Sequence, residues 1–295
     1  MNKIHPTAII DRKAKLGADT EIGPYVIVEA EVQIGHNVKI SAHAQILRAT
    51  SIGDDCQIHT GSIIGGWPQI RGQAMNTVGN LTIGKRNVLR EYVTVHRSKF
   101  AGKSTLIGDD NYFMAFSHIA HDSTIANQVT ICNGALIAGH VTVEDYAFIS
   151  GNVTVHQFCR IGKLSMVGGL SRVAKDVPPY MLVKGDSAVW AVNSVGLRRA
   201  NVSIQARREI KQAFRLLYKS GLNVQQALSE LQNKTDSAEI KYLINFIEHS
   251  QRGICAYKSP SLRERIFLSA PIINLIQIPA YRLFQENRKQ QKALV

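Results

Sequence analysis

The chain has 295 residues, 45% of them hydrophobic, and carries 35 Lys and Arg against 22 Asp and Glu, a net charge of +13. That hydrophobic share excludes wholesale disorder, and no run of about 18 uncharged apolar residues is present to span a membrane. The opening Met1-Asn-Lys-Ile-His-Pro lacks a secretory apolar segment, and Cys56, Cys132, Cys159 and Cys255 form no CxxC motif, so reduced thiols in the cytoplasm are expected. The basic surplus calls for an acidic partner without choosing one.

In chain order, the first feature is a repeat. Branched apolar residues recur every six positions at Ile4, Ile10, Leu16, Ile22, Val28, Ile34, Ile40, Ile46, Ile52, Ile58 and Ile64. A second block reads Ile83, Leu89, Val95. A third runs Ile107, Phe113, Ile119, Ile125, Ile131, Ile137, Val143, Ile149, Val155, Ile161, Val167, Val173. Gly often follows the anchor, and the residue four after it is usually small, as at Ala44, Ser62, Ser117 and Ala135. Six fits neither a helix nor an alternating strand. It fits short strands joined by tight corners in a parallel β-helix, with anchors inside and Gly serving the corners. The pattern is similar to that of the hexapeptide-repeat family. That resemblance implies a left-handed parallel β-helix of three hexads per coil, where the general crossover rule favours the opposite hand.

Residues 1–180 therefore read as the β-helix, with a loop at 65–82 where the anchor phase slips. Between Val95 and Ile107 the phase holds, with Ala101 in the anchor slot and Lys99 to Lys103 looped. Asp176-Val177-Pro178-Pro179-Tyr180 ends the repeat, and 181–200 form a connection. Residues 201–256 turn helical: Ile204, Ile210, Phe214, Leu217 and Tyr218 fit one helix face, and two further helices cover Val224–Leu231 and Ile240–His249. Residues 257–295 are a basic and apolar C-terminal extension. It is open both to docking on its own domain and to peripheral membrane contact.

A coil of 18 residues sets residue n beside n+18, roughly 4.8 Å away. His121, Gly139 and Gln157 then form one column, Asp122, His140 and Phe158 the next, and Ala120, Ala138 and His156 a third, with His118 one strand end earlier. Such a cluster suits two chemistries. Three histidines can bind zinc, as in γ-class carbonic anhydrases built on the same prism. Alternatively, one His acts as a general base steered by the adjacent carboxylate.

The strings His118-Ile-Ala-His121-Asp122, Ala138-Gly139-His140, Val155-His156-Gln157-Phe158 and Asp176-Val-Pro-Pro-Tyr180 resemble the UDP-N-acetylglucosamine O-acyltransferase family over about residues 1–256. Ile4-His-Pro-Thr-Ala8, Val93-Thr-Val-His-Arg97 and Ser250-Gln-Arg-Gly253 match as well. The resemblance implies an acyl-carrier-protein-dependent O-acyltransferase at the first step of lipid A synthesis, adding a 3-hydroxyacyl chain to the 3-position of the sugar nucleotide. It implies no metal and no bound cofactor, since the acyl-phosphopantetheine arrives on the carrier protein. His121 would be the general base, Asp122 its orienting carboxylate and the Gly139 N–H the oxyanion donor. His118, His140, His156, Gln157, Gln69, Asn193, Arg198 and Arg199 would bind the substrate, and Met166 and Gly169 would line the acyl-chain groove. The implied partners are the acidic acyl carrier protein, the UDP-sugar and two further copies in a homotrimer. Nucleic acid is not expected, because no basic stretch is interleaved with aromatics. Three departures, Ile70-Arg71-Gly72 after Gln69, Val195 after Asn193 and a shortened Gly185-to-Trp190 loop, admit a paralogue acting on another UDP-sugar, such as a 3-amino analogue.

Overall fold

A computed structural model describes residues 1–72, 79–234 and 237–259. Within it, residues 1–258 form one compact unit. Short strands, most of two residues, stand at each hexad and stack into three sheets of twelve, nine and eight strands, parallel throughout the prism. The register advances by one coil of 18 residues, as at Ile4↔Ile22 and Ile119↔Ile137. Two insertions widen the stride, at Ile58↔Leu89 and at Thr94↔His118.

The anchors fill the prism. From Ile22 to Val173 every one is at most 5% exposed, whereas Ile4 at the open first coil is 45% exposed. The small residues four places on are buried as well, Ala44, Ser62, Ser117 and Ala135 all at 0%, because the corner leaves no room for more. The glycines have a different task from the one expected. The left-handed corner residue stands three places after the anchor and is mostly not Gly: Asp19, Tyr25, Asn37, Asp122, His140 and Phe158 all have φ between 54° and 65°. Gly17 and Gly53 stand one place after the anchor and serve close approach: an added Cβ would lie 2.5 Å from the Gly35 carbonyl carbon and 2.6 Å from the Gly84 carbonyl oxygen, respectively.

Three further expectations change. Ala101 is exposed in a turn and is no anchor, because the residues around it loop out of the coil. The twelve-stranded sheet runs past Val173: Met181–Lys184 pairs in parallel with Met166–Val167, then returns antiparallel through Ala188–Val192. The helical part comprises α1 (Ser194–Arg199), α2 (Ile204–Lys219), α3 (Val224–Lys234) and α4 (Ala238–Glu248). Ile204 stands at the first turn of α2 and is 63% exposed, so it leaves the apolar face formed by Ile210, Phe214 and Leu217. Among the described residues, no helix is long and apolar enough to cross a membrane. The extension from residue 260 onward, with its expected membrane contact, lies outside the described residues, as do residues 73–78 of the first loop.

Candidate active site

The corner between the nine- and eight-stranded sheets gathers the histidines. His118 ends a strand (His118–Ile119), and the chain turns at once through Ala120, His121 and Asp122 into Thr124–Ile125. His121 Nδ1 lies 2.7 Å from Asp122 Oδ2. An ionised carboxylate there makes Nδ1 the donor and leaves Nε2 with the lone pair of the neutral ring. In the next coil Gly139 faces that ring: an added Cβ would sit 2.7 Å from His121 Cε1 and 2.9 Å from Nε2. Its neighbour His140 is edge-on to His121 with centroids 5.3 Å apart, and stacks on Phe158 of the following coil at 4.7 Å. Among the described residues the Gly139 N–H finds no acceptor, whereas Ala138 and His140 on either side donate to Val155 and His121.

The surroundings set the charges. Burial alone would raise the Asp122 carboxyl, but hydrogen bonds from the Ser98 hydroxyl, the His121 ring and the Lys99 N–H outweigh it and hold the carboxyl below its usual value. Burial pushes His96 down to about 4, with His118 and His121 adding to the effect. His118 is lowered by burial and then by His121. His140 is lowered chiefly by burial, against the opposing pull of Asp122. The dyad therefore sits among imidazoles that stay neutral.

The remaining expected residues are placed as follows. His156 and Gln157 are exposed one coil above Gly139, the His156 Nδ1 lying 3.1 Å from the Gln157 carbonyl. Gln69 is exposed in the first loop, and Met166 is half-buried on its strand. Gly169 is open: an added Cβ would meet only the Gly151 carbonyl oxygen at 3.4 Å and Ser150 Cβ at 3.9 Å. Asn193 is buried and its side chain is engaged at home, accepting from the Gly196 N–H at the start of α1 and donating to the Leu164 carbonyl. Arg198 and Arg199 are exposed at the end of α1; among the described residues no hydrogen bond or ion pair joins them to the His121 corner.

Several residues escape the 18-residue columns. Thr94 Oγ1 lies 2.7 Å from His118 Nδ1. Ser98 Oγ lies 2.5 Å from Asp122 Oδ1, and the Asp122 N–H donates to Thr105 Oγ1. The ring of His96 is edge-on to His118 at 4.8 Å. The signal was the wider stride below His118. Carried down from Thr94↔His118, it sets Ser98 beneath Asp122.

His121, Asp122 and His140 offer ligand atoms within 4.8 Å of one another, so zinc is the competing chemistry. The donor set does not suit it. Asp122 Oδ2 is already at hydrogen-bond distance from His121 Nδ1, and Oδ1 is taken by Ser98. Two ligands at ~2.0–2.2 Å from one tetrahedral zinc stand farther apart than that.

The comparisons with known proteins point to an acyltransferase. Residues 104–139 match the model for bacterial transferase hexapeptide repeats, residues 176–255 that for UDP N-acetylglucosamine O-acyltransferase, domain 2, and residues 4–106 that for a GMPPB C-terminal domain. Proteins from Halorhodospira halophila and Paraburkholderia phymatum, both named acyl-[acyl-carrier-protein]–UDP-N-acetylglucosamine O-acyltransferase, are each 44% identical over 86% of this chain and 99% of their own length. The crystal structure of the UDP-N-acetylglucosamine acyltransferase from Bacteroides fragilis is 39% identical, with a TM-score of 0.82 over 85% of this chain and 99% of that one. That from Campylobacter jejuni is 32% identical, with a TM-score of 0.82 over 87% of this chain and 100% of that one. The prism is thus the left-handed parallel β-helix of these relatives, and neither a zinc enzyme nor a diverged acceptor is favoured. With its repeats and helical end matched and relatives 44% identical over 86% of its length, the chain belongs to the family of acyl-[acyl-carrier-protein]–UDP-N-acetylglucosamine O-acyltransferases.

Proposed function

We infer that this protein transfers a 3-hydroxyacyl group from acyl carrier protein to the 3-hydroxyl of UDP-N-acetylglucosamine, the first step of lipid A synthesis, in the cytoplasm and as a homotrimer. The observation that carries the reading is the His121–Asp122 pair at 2.7 Å with Gly139 against the imidazole. His121 Nε2 takes the proton of the sugar hydroxyl while Asp122 holds Nδ1–H and balances the imidazolium that forms. The alkoxide attacks the thioester carbonyl, and the free Gly139 N–H receives the developing oxyanion. Collapse breaks the C–S bond, and the imidazolium returns its proton to the thiolate. No metal or bound cofactor is needed, because the acyl group arrives activated. His118, His140, His156, Gln157 and Gln69 hold the sugar nucleotide, with Asn193, Arg198 and Arg199 supporting it. Met166 and Gly169 line the chain groove.

The test is turnover by the full chain with 3-hydroxyacyl carrier proteins of several chain lengths and a panel of UDP-sugars. Transfer to UDP-N-acetylglucosamine is expected. Folded protein that turns over none of them sinks the reading.

A further inference from the structure

The six-residue insertion that carries the stride from 18 to 24 lies directly under the catalytic pair. Its first residue, Ser98, is 0% exposed. The hydroxyl has one proton and two acceptors within reach, Asp122 Oδ1 at 2.5 Å and the Phe100 carbonyl at 3.3 Å. The shorter contact, to a charged acceptor, holds it. The same oxygen accepts the Phe100 N–H at 3.1 Å, which polarises the hydroxyl toward the carboxylate. The Lys99 N–H donates to Oδ2 at 3.3 Å. Each Asp122 oxygen therefore has its own donor, and the carboxylate plane is fixed before it meets His121.

The loop itself is pinned. Ser98 donates its N–H to Asn80 and accepts from Gly79, and Asn80 donates to Lys103. A side chain at Gly79 would collide with the carbonyl oxygens of Phe100 and Lys103, so only glycine lets the loop close there. A device this constrained, ending in one buried hydroxyl aimed at the catalytic carboxylate, does more than fill a corner.

We propose that Ser98 is a positioning residue for acyl transfer: through Asp122 Oδ1 it fixes the orientation and charge of the carboxylate, and with them the tautomer and basicity of His121. The proposal rests on the acyl-transfer reading above. Its sign follows from the geometry. Without the Ser98 hydroxyl, Oδ1 loses its donor and the negative charge is less dispersed. Asp122 then holds the imidazolium more tightly, and the base titrates at higher pH.

The experiment uses the full chain with Ser98→Ala and Ser98→Cys, the latter keeping the shape with a weaker donor. Two readouts are taken: steady-state kinetics across pH, and the NMR titration of the His121 imidazole, which needs no turnover. For Ser98→Ala, kcat is expected to fall about tenfold, the loss of one hydrogen bond to a charged group, with both KM values within about twofold. The acid limb of kcat/KM and the NMR midpoint are expected to move up together, by about half a pH unit. Ser98→Cys falls between wild type and alanine. In an Asp122→Ala background, Ser98→Ala is expected to add nothing, since the two act as a unit. An unmoved midpoint and limb in a folded variant, or the same fold-loss in both backgrounds, overturns the proposal. Absence of wild-type turnover counts instead against the acyl-transfer reading, and the NMR midpoint still reports on Ser98.

Discussion

His121 is the residue on which the proposed chemistry turns. Its side chain is only 14% exposed, so His121→Gln, which keeps most of the volume, accompanies His121→Ala. Both are expected to cost roughly 10²- to 10⁴-fold in kcat, the usual worth of a positioned general base. Activity retained within a factor of ten would remove the base from the mechanism. The buried imidazoles around it make a separate prediction about stability. His96 titrates near 4 in the folded protein, chiefly because burial disfavours its charged form, while an unfolded His titrates near 6.5. Between those values the unfolded chain binds more protons, so stability falls as pH drops from about 6.5 toward 4. His118 and His140, both lowered by burial, add in the same direction. Denaturant midpoints measured across this range should decline steadily, and a flat profile would contradict neutral burial. At this scale much was legible in the sequence. The 18-residue columns brought His121, Gly139, Asp122 and His140 together because their coils carry no insertion. Ser98 and Thr94 were not legible, because the insertion between Val95 and Ile107 widens their stride to 24, and Thr105 reaches Asp122 from a diagonal position 17 residues away, outside the columns.

Most elements of the prism are two-residue strands, each with too few hydrogen bonds to persist alone, so stability lies in the stack of anchors. Phe113 is fully buried, while Ile4, on the same sheet, is 45% exposed at the open first coil. Phe113→Ala is therefore expected to cost about 3–5 kcal/mol through lost burial and a residual cavity. Ile4→Ala should stay within about 0.5 kcal/mol. Equal effects of the two in urea melts would mean that the core is not graded along the axis. The hexad period made the strands legible one by one, since each anchor repeats the same steric demand. The period does not reveal which corner residue turns left-handed. Sequence favours Gly for that role, yet Asp122, His140 and Phe158 adopt it, so the tight corner projects functional side chains outward. The hairpin of Met181–Lys184 and Ala188–Val192 was also hidden, because it follows the Pro178-Pro179 stop and pairs antiparallel.

For the molecule as a whole, the question left by composition is where the charge of +13 acts. Residues 201–259 carry nine Lys and Arg against five Asp and Glu. On α2 the buried face is Ala206, Ile210, Ala213, Phe214 and Leu217, while Arg208, Lys211, Arg215 and Lys219 are exposed at helical spacing. On the proposed function, this stripe would steer the acidic acyl carrier protein toward the site. Charge reversal of Arg208, Lys211 and Arg215 to Glu leaves the apolar face intact, so folding should persist. KM for the acyl carrier protein substrate is then expected to rise by about tenfold or more, and rising salt should depress kcat/KM less steeply than in wild type. The free acyl-phosphopantetheine donor carries no protein surface, so its kcat/KM should be unchanged by the same substitutions. Equal loss on both donors would place the damage at the catalytic corner and take the docking role away from α2. A selective loss on the carrier protein alone would assign the basic stripe to donor recognition and leave His121, Asp122 and Gly139 to the chemistry.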